Sequence, residues 1–195
     1  DLAHALDAGV EGLKLSAVAS RDQNKARAQV ADLKCAPRVV TTRELAAHAD
    51  VVVEAAPSSA FDDIAEPAIS EGRIFVPSSV GQLLSREHLV EQARQTGARI
   101  VVPTGALLGL DAVRGAAEGG INSVTMVTRK PPNGLSGAPH LVKNNIDVSN
   151  LSEQLLVFEG SARDGAIGFP ANVNVAAALS LAGIGADKTS LQVWA

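Results

Sequence analysis

Val51-Val52-Val53-Glu54-Ala55 and Arg99-Ile100-Val101-Val102 are the runs on which the fold turns. Neither alternates apolar with polar residues. Each therefore predicts a strand buried on both faces, the habit of a parallel sheet with helices on either side. Working outward, residues 15–19, Arg38–Val40 and Ile74–Pro77 predict further strands. Helical patterns occupy the intervals at 22–33, 43–49, Phe61–Ser70 and 86–96. Thr41 and Glu44 have the spacing of a capping box that opens the second helix. Gly72 and Gly97 fall where helix C-caps are expected, just ahead of the next strand. Short strands alternating with helices imply right-handed crossovers. The fold class is α/β, a doubly wound parallel sheet of the Rossmann dinucleotide-binding type.

The pattern changes after Pro103. A helix is predicted over 108–118 and a strand over 122–128, with Val124, Met126 and Thr128 on one face. A loop rich in Pro, Gly and Asn follows over 131–139, then a strand over 155–158. Pro170 predicts the start of a long Ala-rich helix, at the first helical position where its missing N–H costs nothing. A last strand spans 191–194. Strands without regular helix alternation suggest an α+β domain on an antiparallel or mixed sheet. The boundary is placed near Thr104, giving domains 1–104 and 105–195.

Composition narrows the function classes. With 46% hydrophobic and 19% charged residues, the 195-residue chain is an ordinary globular sequence. A net charge of −4 without a basic stripe gives no reason to expect nucleic acid or an anionic membrane as partner. No apolar run approaches the ~20 residues of a membrane span, and no secretion signal is visible. The expected compartment is the cytoplasm. The single Cys35 can form no internal disulfide, and no metal site is expected. Residues 1–8 already read as a helix, the chain ends inside a strand pattern, and no G-x-G-x-x-G occurs. A first strand and glycine loop of about 15 residues are therefore expected upstream. Further sequence is expected downstream, and the 195 residues alone are expected to be inert.

In a doubly wound sheet the ligand lies beyond the carboxyl ends of the strands. Ser20 and Arg21 follow the first visible strand, where dinucleotide-binding domains usually carry an acid for the ribose hydroxyls. A Ser and Arg there can accept a 2′-phosphate instead, because guanidinium is a fork-shaped phosphate donor. Equally, Asp22 can simply cap the next helix and leave Arg21 solvated. Ala56-Pro57-Ser58-Ser59 follows the Val51 strand, Ser78-Ser79-Val80-Gly81 the next, and Thr104-Gly105-Ala106 the next again. Small hydrogen-bonding residues at successive strand ends outline one groove, with Ala56 and Ser79 as cofactor candidates. A tight strand-to-helix turn would ask for the same residue types.

Four separated blocks carry a family resemblance. They are the run from Pro103 to Ala112, Thr128-Arg129-Lys130-Pro131-Pro132, Phe158-Glu159-Gly160-Ser161-Ala162-Arg163, and the run from Phe169 to Ala177. Val53-Glu54-Ala55-Ala56 and Ser79-Val80-Gly81 match as well. These stretches resemble the L-aspartate dehydrogenases. The resemblance implies a dinucleotide-binding domain followed by a substrate-binding and dimerisation domain, and a homodimer. It implies NAD or NADP as cofactor and L-aspartate as small-molecule substrate, converted reversibly to iminoaspartate and then oxaloacetate plus ammonia. A link to NAD biosynthesis is also implied. It points to Ala106 and to an Asn at the start of the Pro170 helix as nicotinamide contacts. Residues two apart lie ~200° apart on a helix, so Asn172 and Asn174 cannot both face one ligand if the helix has begun. Asn174 is preferred for the cofactor, with Asn172 in reserve on the substrate side. Thr104 stands where the family more usually has Ser.

Lys130, beside Arg129, is the best candidate for holding a substrate carboxylate, against a solvated strand end as the alternative. Asp111 reads as a helix-start acid. The family's general base is a His expected beyond Ala195. His4, His48 and His88 lie on predicted helices and His140 in a predicted loop, and none is assigned. Competing readings are a homoserine or sugar dehydrogenase of the same plan, and a non-catalytic dinucleotide-binding protein.

Overall fold

The computed structural model describes residues 2–104 and 107–195. The chain forms two compact units and crosses between them at 77/78, 87/88 and 101/102, so Ser78–Glu87 belongs with the second unit. The sequence places a single boundary near Thr104.

The first unit is helix-linked parallel strands. Its elements are α1 (Leu2–Ala8), β1 (Ala17–Ala19), α2 (Gln23–Val30), β2 (Arg38–Val40), β3 (Val51–Glu54), α3 (Phe61–Ser70), β4 (Ile74–Pro77), α4 (Glu87–Thr96) and β5 (Arg99–Ile100). β1 pairs with β2, and β3, β4 and β5 form a second sheet in that order, every pairing parallel. Asp22 caps α2, accepting the Lys25 N–H at 3.0 Å. The expected capping box is present: Glu44 Oε2 accepts from the Thr41 N–H at 2.9 Å and from its hydroxyl at 2.7 Å. The Thr41 N–H bond holds the Glu44 carboxyl below its ordinary pKa. The segment it opens, Thr42–His48, is a 3-10 helix, not the α-helix expected over 43–49. Gly72 and Gly97 end their helices at φ +70° and +77°, a conformation only glycine adopts freely.

β3 departs from expectation. It alternates: Val52 and Glu54 are buried, while Val51 and Val53 are 37% and 41% exposed. Helix α3 and the 3-10 turn Thr42–His48 pack on β3. The covered face is dense, with Phe61 and Phe75 meeting edge to face at 5.7 Å beside the buried Ile64, Ile69 and Leu89.

The second unit contains α5 (Leu110–Glu118), β6 (Val124–Arg129), α6 (Pro139–Asn144), β7 (Leu156–Ser161), α7 (Ala162–Gly168), α8 (Asn174–Ala182) and β8 (Thr189–Trp194). Its sheet runs β6-β8-β7, with β6 parallel and β7 antiparallel to β8, a mixed sheet. Val124, Met126 and Thr128 share the more buried face of β6. The core gathers Leu141, Phe158, Phe169, Val173, Leu191 and Val193. A Cβ on Gly165 would stand 2.4 Å from Leu191 Cδ2, so glycine lets α7 lie directly on β8.

Three helices differ from the sequence reading. Helix α8 begins at Asn174, not at Pro170, and the Asn172 N–H closes a turn onto the Phe169 carbonyl at 2.9 Å. Ahead of that turn lies α7, which the sequence reading did not anticipate. Ser161 caps it, its hydroxyl oxygen accepting the Asp164 N–H at 3.0 Å. The expected loop gives way to α6 from Pro139, so His140 is helical. Its ring packs between Phe158 and Phe169 at 5.2 and 5.4 Å.

Candidate functional site

In the first unit, the candidates sit at strand ends as predicted. Ser20 and Arg21 are exposed immediately after β1. Asp22 is engaged in capping α2, and Arg21 stands exposed beside it.

At the end of β3, Glu54 is fully buried and its Oε1 accepts the Ala56 N–H at 2.8 Å. A buried carboxylate bonded to the backbone two residues on fixes the turn Ala55-Ala56-Pro57 in one shape. The turn then passes into the 3-10 segment Ser58–Ala60, with the Ala60 N–H on the Pro57 carbonyl at 2.8 Å. Ala56 is half-buried there. Sequence reasoning noted Glu54 only as part of a matching block. An acid closing an apolar run was the available sign that its carboxylate serves the turn.

In the second unit, Ser79 precedes the 3-10 segment Val80–Ser85, and its carbonyl accepts the Gln82 N–H at 2.9 Å. Val80, Leu83 and Leu84 are buried. Asn174, the first residue of α8, accepts the Gly81 N–H on Oδ1 at 3.0 Å. A Cβ on Gly81 would stand 3.0 Å from Val173 Cγ2 and 3.3 Å from Asn174 Oδ1, so glycine permits this approach. The structure thus joins two sequence candidates that lie 95 residues apart, the Ser79 segment and Asn174. A backbone N–H can only donate, so the orientation of the Asn174 amide is set. Its Nδ2 is the remaining donor.

Asn172 takes a different position. It lies in the turn before α8, and its Nδ2 donates to the Gly134 carbonyl at 3.3 Å. The opposition of the two Asn side chains therefore comes from a turn, not from ~200° of helix. Lys130 is half-buried at the end of β6, with its N–H on the Trp194 carbonyl at 2.9 Å. Its neighbour Arg129 lies 6.0 Å from the Trp194 ring centroid and donates to Gln154 Oε1 at 3.4 Å. Lys130 is thus the cation of the pair whose side chain carries no such assignment. Asp111 stands exposed in the first turn of α5, as a helix-start acid. Ala106 lies outside the described residues. Among those residues no cluster of three or more His, Cys, Asp or Glu could hold a metal, and no helix is long and apolar enough to cross a membrane.

Residues 1–103 match the family profile described as homoserine dehydrogenase, NAD binding domain, and residues 111–195 match aspartate dehydrogenase, C-terminal. The chain is 57% identical over 194 residues to an L-aspartate dehydrogenase of Bradyrhizobium diazoefficiens, covering 100% of this chain and 69% of that one. It is 52% identical to L-aspartate dehydrogenase 3 of Bordetella bronchiseptica, covering 95% and 68% respectively. A Methanocella arvoryzae relative of the same name is 44% identical, covering 99% and 73%. The crystal structure of aspartate dehydrogenase from Thermotoga maritima superposes with a TM-score of 0.70 at 21% identity, covering 99% of this chain and 74% of that chain, which supports the fold. The chain belongs to the L-aspartate dehydrogenase family.

Proposed function

We propose that this protein is an NAD(P)-dependent L-aspartate dehydrogenase, and the observation that carries the reading is the 57% identity to such an enzyme along the whole chain. The division of the family matches separates it from a homoserine dehydrogenase. The homoserine profile covers only residues 1–103, whereas 111–195 follow the aspartate dehydrogenase C-terminal profile.

The residues present fit a nicotinamide cofactor. Ala56 and Ser79 leave the strand ends low enough for close backbone approach. Asn174 offers an Nδ2 donor whose direction is set by the Gly81 bond, suited to a carboxamide oxygen. When bound, the cofactor supplies the acceptor for the hydride that leaves Cα of aspartate. Ser20 and Arg21 contact the adenosine end, and the free donors of Arg21 suit a 2′-phosphate. Lys130 holds a substrate carboxylate and thereby orients Cα, with Asn172 on the same side. Loss of hydride and of the ammonium proton yields iminoaspartate, whose hydrolysis gives oxaloacetate and ammonia. Ala106 is proposed as a further nicotinamide contact on the family resemblance alone.

The second unit is also the proposed dimerisation surface. Val127 and Arg129 of β6 and Gln192 and Trp194 of β8 alternate with the core-facing residues and so share the other face of the sheet. Val127 is 41% exposed on that face. Two copies meeting there would bury it, and a cytoplasmic homodimer is the expected form.

The test is aspartate-dependent formation of NAD(P)H by the purified gene product, with homoserine and sugars as controls. Oxaloacetate and ammonia appearing in step with NAD(P)H support the reading. Turnover of homoserine without aspartate turnover refutes it.

A further inference from the structure

Arg163 makes a set of contacts that the proposed reaction does not itself require. Its Nε and Nη2 form a fork on the Asp187 carboxylate at 2.5 and 2.9 Å. Nη2 also reaches Glu87 Oε1 at 2.8 Å, and Nη1 donates to the Leu84 carbonyl. The bonds to Asp187 hold the guanidinium pKa above its ordinary value, and those to Arg163 hold the Asp187 carboxyl below its own.

These bonds contribute more to geometry than to stability. The side chains of Asp187 and Glu87 are 69% and 77% exposed, and exposed ion pairs stabilise folds little. A planar donor engaged on three partners nevertheless has one orientation. What it fixes is the segment 78–87, which leaves the first unit after β4 and returns to it through α4. Arg163 grips the far end of that segment at Leu84 and Glu87, while Asn174 grips the near end at Gly81. Along the segment Val80, Gly81, Leu83 and Leu84 are buried, while Ser85 is exposed. Ser79 is thereby held in one place relative to Asn174.

We infer that Arg163 is a positioning residue for the cofactor, acting through the segment 78–87 without touching the cofactor itself. The inference rests on the dinucleotide-binding reading of Ser79 and Asn174. Asp187 is its anchor, and Glu87 and Leu84, in the same unit, are the groups it places.

The experiment compares Arg163→Ala, Arg163→Lys and Glu87→Gln with the wild-type gene product. Three quantities are read: NADPH affinity by direct fluorescence titration, KM for aspartate, and the melting temperature without cofactor. Arg163→Ala is expected to weaken NADPH by about 10-fold or more, the scale of losing a charge-assisted bond set. Aspartate KM should move by less than about threefold, and the melt by only a few degrees. Arg163→Lys should restore part of the affinity, because an ammonium keeps the charge but cannot form the fork. Glu87→Gln should weaken NADPH by a smaller factor. Unchanged NADPH affinity in Arg163→Ala overturns the proposal, and so does full restoration by lysine. If the alanine variant does not fold, unchanged affinity in both Arg163→Lys and Glu87→Gln overturns it equally. A wild-type protein that binds NADPH but leaves aspartate unoxidised refutes the aspartate reading alone, and the affinity comparison still decides the role of Arg163.

Discussion

Replacing Asn174 separates the two duties its side chain is given. Its Oδ1 accepts the N–H of Gly81, a buried residue, at 3.0 Å. In Asn174→Ala that N–H loses its acceptor. Stranding a buried amide costs about 1–3 kcal/mol. For a protein of this size that corresponds to a melting decrease of roughly 2–4 °C per kcal/mol. Asn174→Asp keeps an oxygen for Gly81 and should melt within ~0.5 kcal/mol of wild type. It replaces the Nδ2 donor by an acceptor, however, so a cofactor carbonyl facing it loses a hydrogen bond and meets a negative charge. Both variants should therefore lose about 10–100-fold in kcat/KM, while only alanine loses stability. Thermal melts without cofactor and steady-state rates on the two variants decide the matter. Wild-type turnover by Asn174→Asp would refute the donor role, and a wild-type melt for Asn174→Ala would refute the value given to the Gly81 bond.

Arg21→Ala should weaken NADP by about 1–3 kcal/mol and leave NAD nearly unchanged; equal loss for both cofactors would remove the 2′-phosphate argument, and no loss for either would leave Arg21 a solvated cation. Lys130→Ala should raise KM for aspartate much more than KM for cofactor, and an unchanged aspartate KM would remove it from the substrate site. Gly165→Ala places a methyl 2.4 Å from Leu191 Cδ2, and should cost about 1–3 kcal/mol of stability by overpacking; a melt equal to wild type would mean that α7 can lift off β8 freely. Burial, with Asp7 second, pushes the Cys35 thiol up from its ordinary pKa, so less thiolate is present at pH 8 and alkylation should be slower than for a free thiol. Its rate should rise in Asp7→Asn, and a midpoint at or below the ordinary thiol value would contradict the burial argument.

The parts legible in the sequence were those set by local chemistry. Thr41 with Glu44, and Gly72 and Gly97 ahead of their strands, mark helix ends through bonds and backbone angles that need only a few neighbouring residues. Helix α7 carries a local sign, the capping spacing of Ser161 and Asp164, but at seven residues it is too short to show a helical period. Starting the helix at Pro170 instead of Asn174 followed from reading composition where a turn bond, Asn172 N–H to Phe169 carbonyl, decides the boundary. The alternation of β3 is hidden for a related reason: an unbroken valine run describes what a strand tolerates, whereas burial depends on which elements lie over it. Roles carried by long-range contacts were not legible at all. Nothing near Arg163 in the chain announces Leu84 or Glu87, which lie 79 and 76 residues away. Nothing near Asn174 announces Gly81, 93 residues away. In each case a side chain of ordinary type becomes specific because folding brings it to the same short segment.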